Sequence, residues 1–344
     1  HDALMMPNGD VMFLTWEKKD AAQAIAAGVN PANLDPKTHT TWSSSIIEID
    51  PSTNKVVWQW NAWNHLVQDY DKTKANYGSV AGSPQLINAN YYQYSQKPDW
   101  LHVNALSYNS QTNQVIMGVR EFNEFWVIDH STTTAQAAGH TGGNSGMGGD
   151  LLYRYGNPAA YDHGTNADRT LYLQHNDHWI PQGLTGAGDV LVFNNGDYVT
   201  GSRDYTSVEE LKLPETGYTY ARTSAGAYAQ PEIVWTYAPT GKQSFFSSIM
   251  GNAQRLPNGD TLITDAVDGT AREVTTSDKV VWVYKDPQYY PNEYDPSGPS
   301  TNDVYRAYKY APNYSGLAGE DLGTQAVTST YVPGNGPASG VTNN

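Results

Sequence analysis

Cysteine is absent from the 344-residue sequence. That excludes disulfide frameworks, thiolate zinc sites, iron–sulfur clusters and CxxCH haem attachment, though it does not fix the compartment. Basic residues are scarce. Lys and Arg number 20 against 35 Asp and Glu, a net charge of −15, so the chain offers no basic face to a phosphate backbone, and nucleic acid is not an expected partner. Long apolar runs are also lacking, and none approaches the roughly 18–20 residues of a membrane helix. No membrane span is expected. The sequence begins at His1 rather than Met and reads as processed, truncated or recorded in part.

Aromatic and turn residues are abundant, with 10 Trp, 25 Tyr, 31 Gly and 19 Pro. Short runs of Val, Ile, Leu, Trp and Tyr bounded by Gly, Pro, Asn and Asp recur, while helical periodicity is scarce, so the expected fold class is all-β. Pro7-Asn8-Gly9-Asp10, Asn194-Asn195-Gly196-Asp197 and Pro257-Asn258-Gly259-Asp260 each carry an Asn-Gly pair suited to a two-residue hairpin turn.

A looser repeat ends in Val56-Val57-Trp58-Gln59-Trp60, Leu151-Leu152-Tyr153-Arg154-Tyr155, Ile233-Val234-Trp235-Thr236-Tyr237 and Val280-Val281-Trp282-Val283-Tyr284. Units of this kind, unevenly spaced by insertions, read as blades of a β-propeller in preference to a β-sandwich. The propeller domain is expected over residues 1–312, with inserted loops at 17–41, 61–99 and 131–150 that could include short helices. Residues 313–344 turn to Gly, Ser, Thr, Asn and Pro and read as an extended or mobile tail. The glycine-rich segment from Gly139 to Gly149 lacks the Lys of a phosphate-binding loop.

Aligned by their turns, His1 and His175 share one repeat phase, each six residues before a Pro, and His102 opens a further unit comparably. In a propeller, equivalent phases converge on the central channel. Arg120, one hairpin after His102, is expected at the same end. Three imidazoles and a guanidinium suit an anion with tetrahedral oxygens, His acting as nucleophile or as acid and base. His39, His65, His130, His140 and His163 are assigned to polar surface loops.

These segments resemble the bacterial arylsulfotransferases: His1-Asp2-Ala3-Leu4-Met5-Met6-Pro7-Asn8-Gly9, Asp99-Trp100-Leu101-His102-Val103-Asn104, Val119-Arg120 to Phe125-Trp126-Val127-Ile128-Asp129-His130-Ser131, Gln174-His175-Asn176-Asp177-His178 and Ala253-Gln254-Arg255-Leu256-Pro257-Asn258-Gly259-Asp260. The resemblance implies a six-bladed propeller carrying a PAPS-independent sulfotransferase site. In such a site a histidine is sulfated by an aryl sulfate ester and passes the group to a phenol. It implies His175 as nucleophile, His102, Asn104 and Arg120 around the sulfuryl oxygens, and His1 as proton donor or acceptor.

Asn176 stands where an Asp commonly follows the Gln-His pair, which makes His178 a competing nucleophile. Family members also carry an N-terminal region before the segment that opens here at His1, so strands of the propeller are expected to be missing. A periplasmic or extracellular location in a bacterium is implied, and a homo-oligomer is possible.

This reading calls for no cofactor and no metal. A metalloenzyme with copper on an N-terminal His, and calcium at Asp69-Tyr70-Asp71, are the metal alternatives. The runner-up function is a non-catalytic secreted propeller acting as a binding or self-assembly module.

Overall fold

The computed structural model describes residues 1–92, 98–289 and 300–321, so residues 322–344 of the expected tail lie outside the described residues. Among the described residues, four antiparallel sheets of four strands each make up the framework. The first holds Ala3–Met5, Val11–Lys19, Thr41–Asp50 and Lys55–Asn61. The second holds Val103–Asn109, Gln114–Val119, Glu124–Asp129 and Tyr153–Tyr155. His175–Trp179, Val190–Asn194, Ser207–Lys212 and Glu232–Tyr237 form the third. Asn252–Arg255, Thr261–Asp265, Thr270–Val274 and Val280–Lys285 form the fourth. The fold is mostly β, as the sequence predicts.

Each sheet is an up-and-down meander in chain order, and each aromatic-ended run of the sequence repeat is the last strand of its sheet. Three sheets share one irregularity. The pairing of third and fourth strands slips after Glu48, Glu210 and Glu273, and these glutamates face Trp58, Trp235 and Trp282. A bulge at the same place in three sheets marks them as versions of one unit.

The sheets pack face on face, and side chains two apart along a strand take the same side. In the second sheet Val115, Met117, Trp126 and Ile128 join the core shared with the first. Ile116, Phe125, Val127 and Tyr153 instead join the core shared with the third. A sheet covered on both faces needs near-continuous apolar strands, which is why Val115-Ile116-Met117-Gly118-Val119 shows no alternation. Leu191 and Phe193 of the third sheet meet Ala253 and Ile263 of the fourth in a further core.

The glycine turns depart from the expectation. Gly9 N donates to Met6 O and Met6 N to Asp10 O, with Gly9 at φ +93°; Leu256 to Asp260 repeats the pattern with Gly259 at φ +89°. Each is a type I turn closed by a glycine bulge, in which Pro takes the position whose φ it already fixes. Asn194-Asn195-Gly196-Asp197 is no tight turn either: Asn194 ends a strand, the next strand opens at Ser207, and Asn194, Asn195 and Asp197 are buried.

Two further expectations change. Residues 17–19 and Thr41 belong to a long hairpin pairing Lys19 with Thr41, and the helix Ala21–Ala26 lies at its tip. Asp20 and Gln23 cap that helix reciprocally. Among the histidines assigned to the surface, His65 is fully buried, and His130 is held between Glu48 and Asn113. Both sit where inserted loops fold back on the sheets, a long-range contact that local polarity does not reveal.

Candidate active site

The site grows from the first strand of each sheet, which is an edge strand every time. These strands lie side by side. Leu106 N donates to Asp2 Oδ2 at 3.1 Å, Trp179 N to Ser107 Oγ at 3.2 Å, and Ala253 N to Asn176 Oδ1 at 3.2 Å. Two of them are bulged, between Val103 and Ala105 and between His175 and His178. Such bulges re-aim side chains, and both fall on residues singled out from the sequence.

His175 opens its strand and is 5% exposed. Its Nδ1 lies 2.8 Å from Asn195 Oδ1 and 3.1 Å from Leu173 O. The orientation of the Asn195 amide is fixed, since its Nδ2 donates to Ser247 O and Met250 O, each at 2.7 Å. Facing two acceptors, Nδ1 carries the ring proton, and the Nε2 lone pair is left bare. Burial and the Arg120 guanidinium push the His175 pKa down to about 3. The ring is therefore neutral across the physiological range.

His102 stands at φ +44° just before its strand. Its Nδ1 is 2.7 Å from Asp99 Oδ2, and its backbone N donates to Asp99 Oδ1 at 3.2 Å. That carboxylate fixes the Nδ1–H tautomer and leaves the ring's lone pair on Nε2. The His1 ring packs against His102 with centroids 4.7 Å apart. Arg120 donates its backbone N to His102 O at 3.3 Å. Its buried guanidinium pairs with Glu121 and donates to Tyr198 Oη at 3.2 Å. His1, His102 and Arg120 thus gather at one place, and both Arg120 and His102 are near enough to disfavour a charge on His175.

Asn104 and His178 are placed differently. Asn104 is buried and donates Nδ2 to Gln174 O at 2.8 Å, so one of its amide hydrogens ties the two bulged strands together beside His175. His178 follows the bulge, with Nδ1 2.7 Å from Asn176 O. It lines a cavity of about 250 Å³ together with Asp2, Leu106, Asn176, Arg306 and Tyr308. Burial lowers its pKa too.

Sequence reasoning missed four residues here. Asn195 was hidden inside a turn motif, Tyr198 directly follows that motif, and Asp99 closes a segment read as loop. Asp177 is the fourth. Both of its oxygens are buried with the Gln174 side chain as a hydrogen-bonding neighbour, and Asn104 Oδ1 is buried without a partner. A Cβ at Gly118 would lie 2.2 Å from Asp177 Oδ2 and 3.1 Å from Asn104 Oδ1, so only glycine fits opposite this pocket of oxygens. Burial pushes the Asp177 carboxyl well above the usual range.

A model of the arylsulfotransferase (ASST) family matches residues 1–306. The chain belongs to that family. Aryl sulfotransfer is accordingly the activity its relatives share in name, and the histidine–arginine cluster lies wholly inside the matched region.

No protein of curated function matches this arylsulfotransferase-family chain. Among solved structures, it is similar to a protein of unknown function from Bacteroides caccae, at 9% identity and a TM-score of 0.33, over 70% of this chain and 54% of that one. It is also similar to virginiamycin B lyase from Staphylococcus aureus, at 11% identity and a TM-score of 0.32, over 80% of this chain and 61% of that one. The chain thus spans little more than half the length of the first structure. Among the described residues, no helix is long and apolar enough to cross a membrane.

Proposed function

We propose that this arylsulfotransferase-family chain moves a sulfuryl group from an aryl sulfate ester to a phenol, without PAPS, through a sulfated His175. The observation that carries the reading is the bare Nε2 of a neutral, buried His175, fixed through Nδ1 by Asn195 and set beside Arg120. In the first half-reaction Nε2 attacks sulfur. The N–S bond forms, the S–O bond to the aryl oxygen breaks, and His102 or His1 gives the leaving phenolate a proton. In the second, the phenol acceptor gives its proton to the same histidine, its oxygen attacks sulfur, and the N–S bond breaks.

Charge spreads over the sulfuryl oxygens in both transition states, so a positioned guanidinium supplies electrostatic stabilisation, as in phosphoryl transfer. One covalent intermediate lets donor and acceptor use one site in turn, which gives ping-pong kinetics. Acceptors on Nδ1 fix the same tautomer in both rings, and His175 is preferred to His178 as nucleophile because it is the ring that feels the Arg120 charge.

The four sheets belong to this proposal as blades of a propeller whose first strands surround the site. Their common bulge and touching edge strands support that arrangement. A periplasmic or extracellular site of action completes the reading and rests on the resemblance of the sequence.

The test is a mass spectrum of the intact chain after brief exposure to an aryl sulfate. A sulfuryl-sized gain on the peptide holding His175, abolished in His175→Ala, is the expected result. A gain that persists in that variant, or none while phenol is released, overturns the mechanism.

A further inference from the structure

The glycine-rich segment from Gly139 to Gly149 serves no step of sulfuryl transfer, yet it is packed with care. Gly148 and Gly149 leave no room for side chains: a Cβ at Gly149 would lie 2.0 Å from Ala137 O and 2.7 Å from His65 Nε2. Trp60 Nε1 donates to Gly149 O at 2.7 Å, and its ring stacks on His65 with 3° between planes. The loop thereby brings its two ends, His140 and Asp150, onto the fully buried His65.

At that point the hydrogen-bond bookkeeping leaves one contact short of a proton or a cation. His65 Nε2 is 2.9 Å from the carbonyl of Ala137, which can only accept, so Nε2 carries a proton. In the neutral ring Nδ1 then presents a lone pair, yet it lies 2.9 Å from Asp150 Oδ1. His140 Nδ1 approaches the same oxygen at 2.7 Å. The two ring nitrogens and the carboxylate oxygen lie within 4.8 Å of one another. A neutral His140 can donate its own Nδ1 proton to that oxygen, which leaves the His65–Asp150 contact unserved, whereas a divalent cation serves all three atoms together.

We propose that His65, His140 and Asp150 bind a divalent first-row transition ion of the zinc class, which clips the glycine-rich loop to the first sheet. The donor set is two imidazoles and one carboxylate, the mixture such ions take. Ligands at about 2.0–2.1 Å in a tetrahedron stand roughly 3.3 Å apart, so the cluster opens by about half an ångström to admit the ion. His65 already has the support expected around a ligating histidine: a carbonyl on its second nitrogen and a ring fixed by stacking. His140 is 59% exposed at its side chain, which provides the entry path and leaves the fourth position to water.

The experiment uses the full chain, stripped with a chelator and titrated with Zn²⁺ in a calorimeter, beside His140→Ala, His140→Gln and the remote control His39→Ala. Thermal unfolding is followed with and without Zn²⁺. One Zn²⁺ per chain and a rising Tm are expected for the unaltered chain and the control. In both His140 variants, which lose only an exposed ring, affinity is expected to fall by at least the roughly 10- to 100-fold that outer-shell losses alone cost, and the Tm gain to vanish. Co²⁺ in place of Zn²⁺ is expected to give the visible absorption of a four-coordinate site. Equal Zn²⁺ affinity in the His140 variants, or no Tm response in the unaltered chain, overturns the proposal and leaves a proton between His65 and Asp150.

Discussion

Asn195 offers its side-chain oxygen to His175 Nδ1 at 2.8 Å while its amide nitrogen is held by two backbone carbonyls, Ser247 O and Met250 O. The histidine is thus aimed by a residue on the adjoining strand-to-strand loop, which is aimed in turn by the segment leading into the fourth sheet. Partners of this kind around functional histidines are worth about 10- to 100-fold. Asn195→Ala is expected to lower kcat by that factor with little change in KM. Asn195→Asp should place a carboxylate against the ring, raise the His175 pKa, and move the acid limb of the pH–rate profile toward neutrality. Identical profiles for the Asp variant and the unaltered enzyme would show that Asn195 only fills space.

Acid stability gives a second check. His175 ionises near 6.5 in the unfolded chain and near 3 when folded. Its contribution is therefore complete above about pH 6.5 and falls as pH drops toward 3, because the unfolded state takes up the proton first. The full span is on the order of 5 kcal/mol. His175→Gln should show a shallower loss of Tm between pH 7 and 4. Parallel Tm–pH curves for the two proteins would contradict a neutral, buried ring.

Asp177 behaves in the opposite sense. Its carboxyl is raised by burial in the folded chain above the 3.8 of the unfolded one, so the folded state keeps the proton to higher pH and this contribution, present at low pH, is lost as pH rises. Asp177→Asn keeps the shape, removes the ionisation and offers a donor to the unpartnered Oδ1 of Asn104. A gain of roughly 1 kcal/mol, about 2–4 °C in Tm, is expected at pH 8, and a smaller one at pH 4. A Tm that falls at pH 8 would mean that the ionised carboxylate has a function.

A buried pair supplies the fourth prediction. Arg154 and Glu124 are both fully inaccessible, 2.5 Å apart, and Arg154 also donates to Leu86 O at 3.1 Å. Removing one partner leaves an uncompensated buried charge, so Arg154→Met should cost about 3–5 kcal/mol in urea unfolding. Arg154→Met with Glu124→Leu should cost less than the single change. If the double variant is the less stable of the two, the pair is not what holds the loop at Pro84–Leu86 to the second sheet.

The sequence makes legible whatever depends on period and phase. Aromatic-ended runs marked the last strand of each sheet, and His1 and His175 shared a phase because each stands at a first strand. Side chains that meet across long insertions stayed hidden: nothing local to His65 announces Asp150, and Asn195 looked like half of an Asn-Gly turn. The bulge after His175 was equally invisible, since it depends on pairing with Phe193 and Leu191. Bulges and buried amides arise where strands from separate sheets must fit one another, and single-strand patterns carry no record of that fit.

Arg306 reaches Asp2 at 2.9 Å across 304 positions of sequence, and its neighbours Ala307 and Lys309 donate their backbone nitrogens to Asn252 and Gln254. Chain-closure entropy grows with the separation bridged, so this seam is expected to open more readily than the strands behind it. Its amides should exchange with deuterium well before those of Ile263 in the strand behind. The rim beside His1 is then expected to open more readily than the His175 side, and under the proposed function it is the expected way in for a phenol.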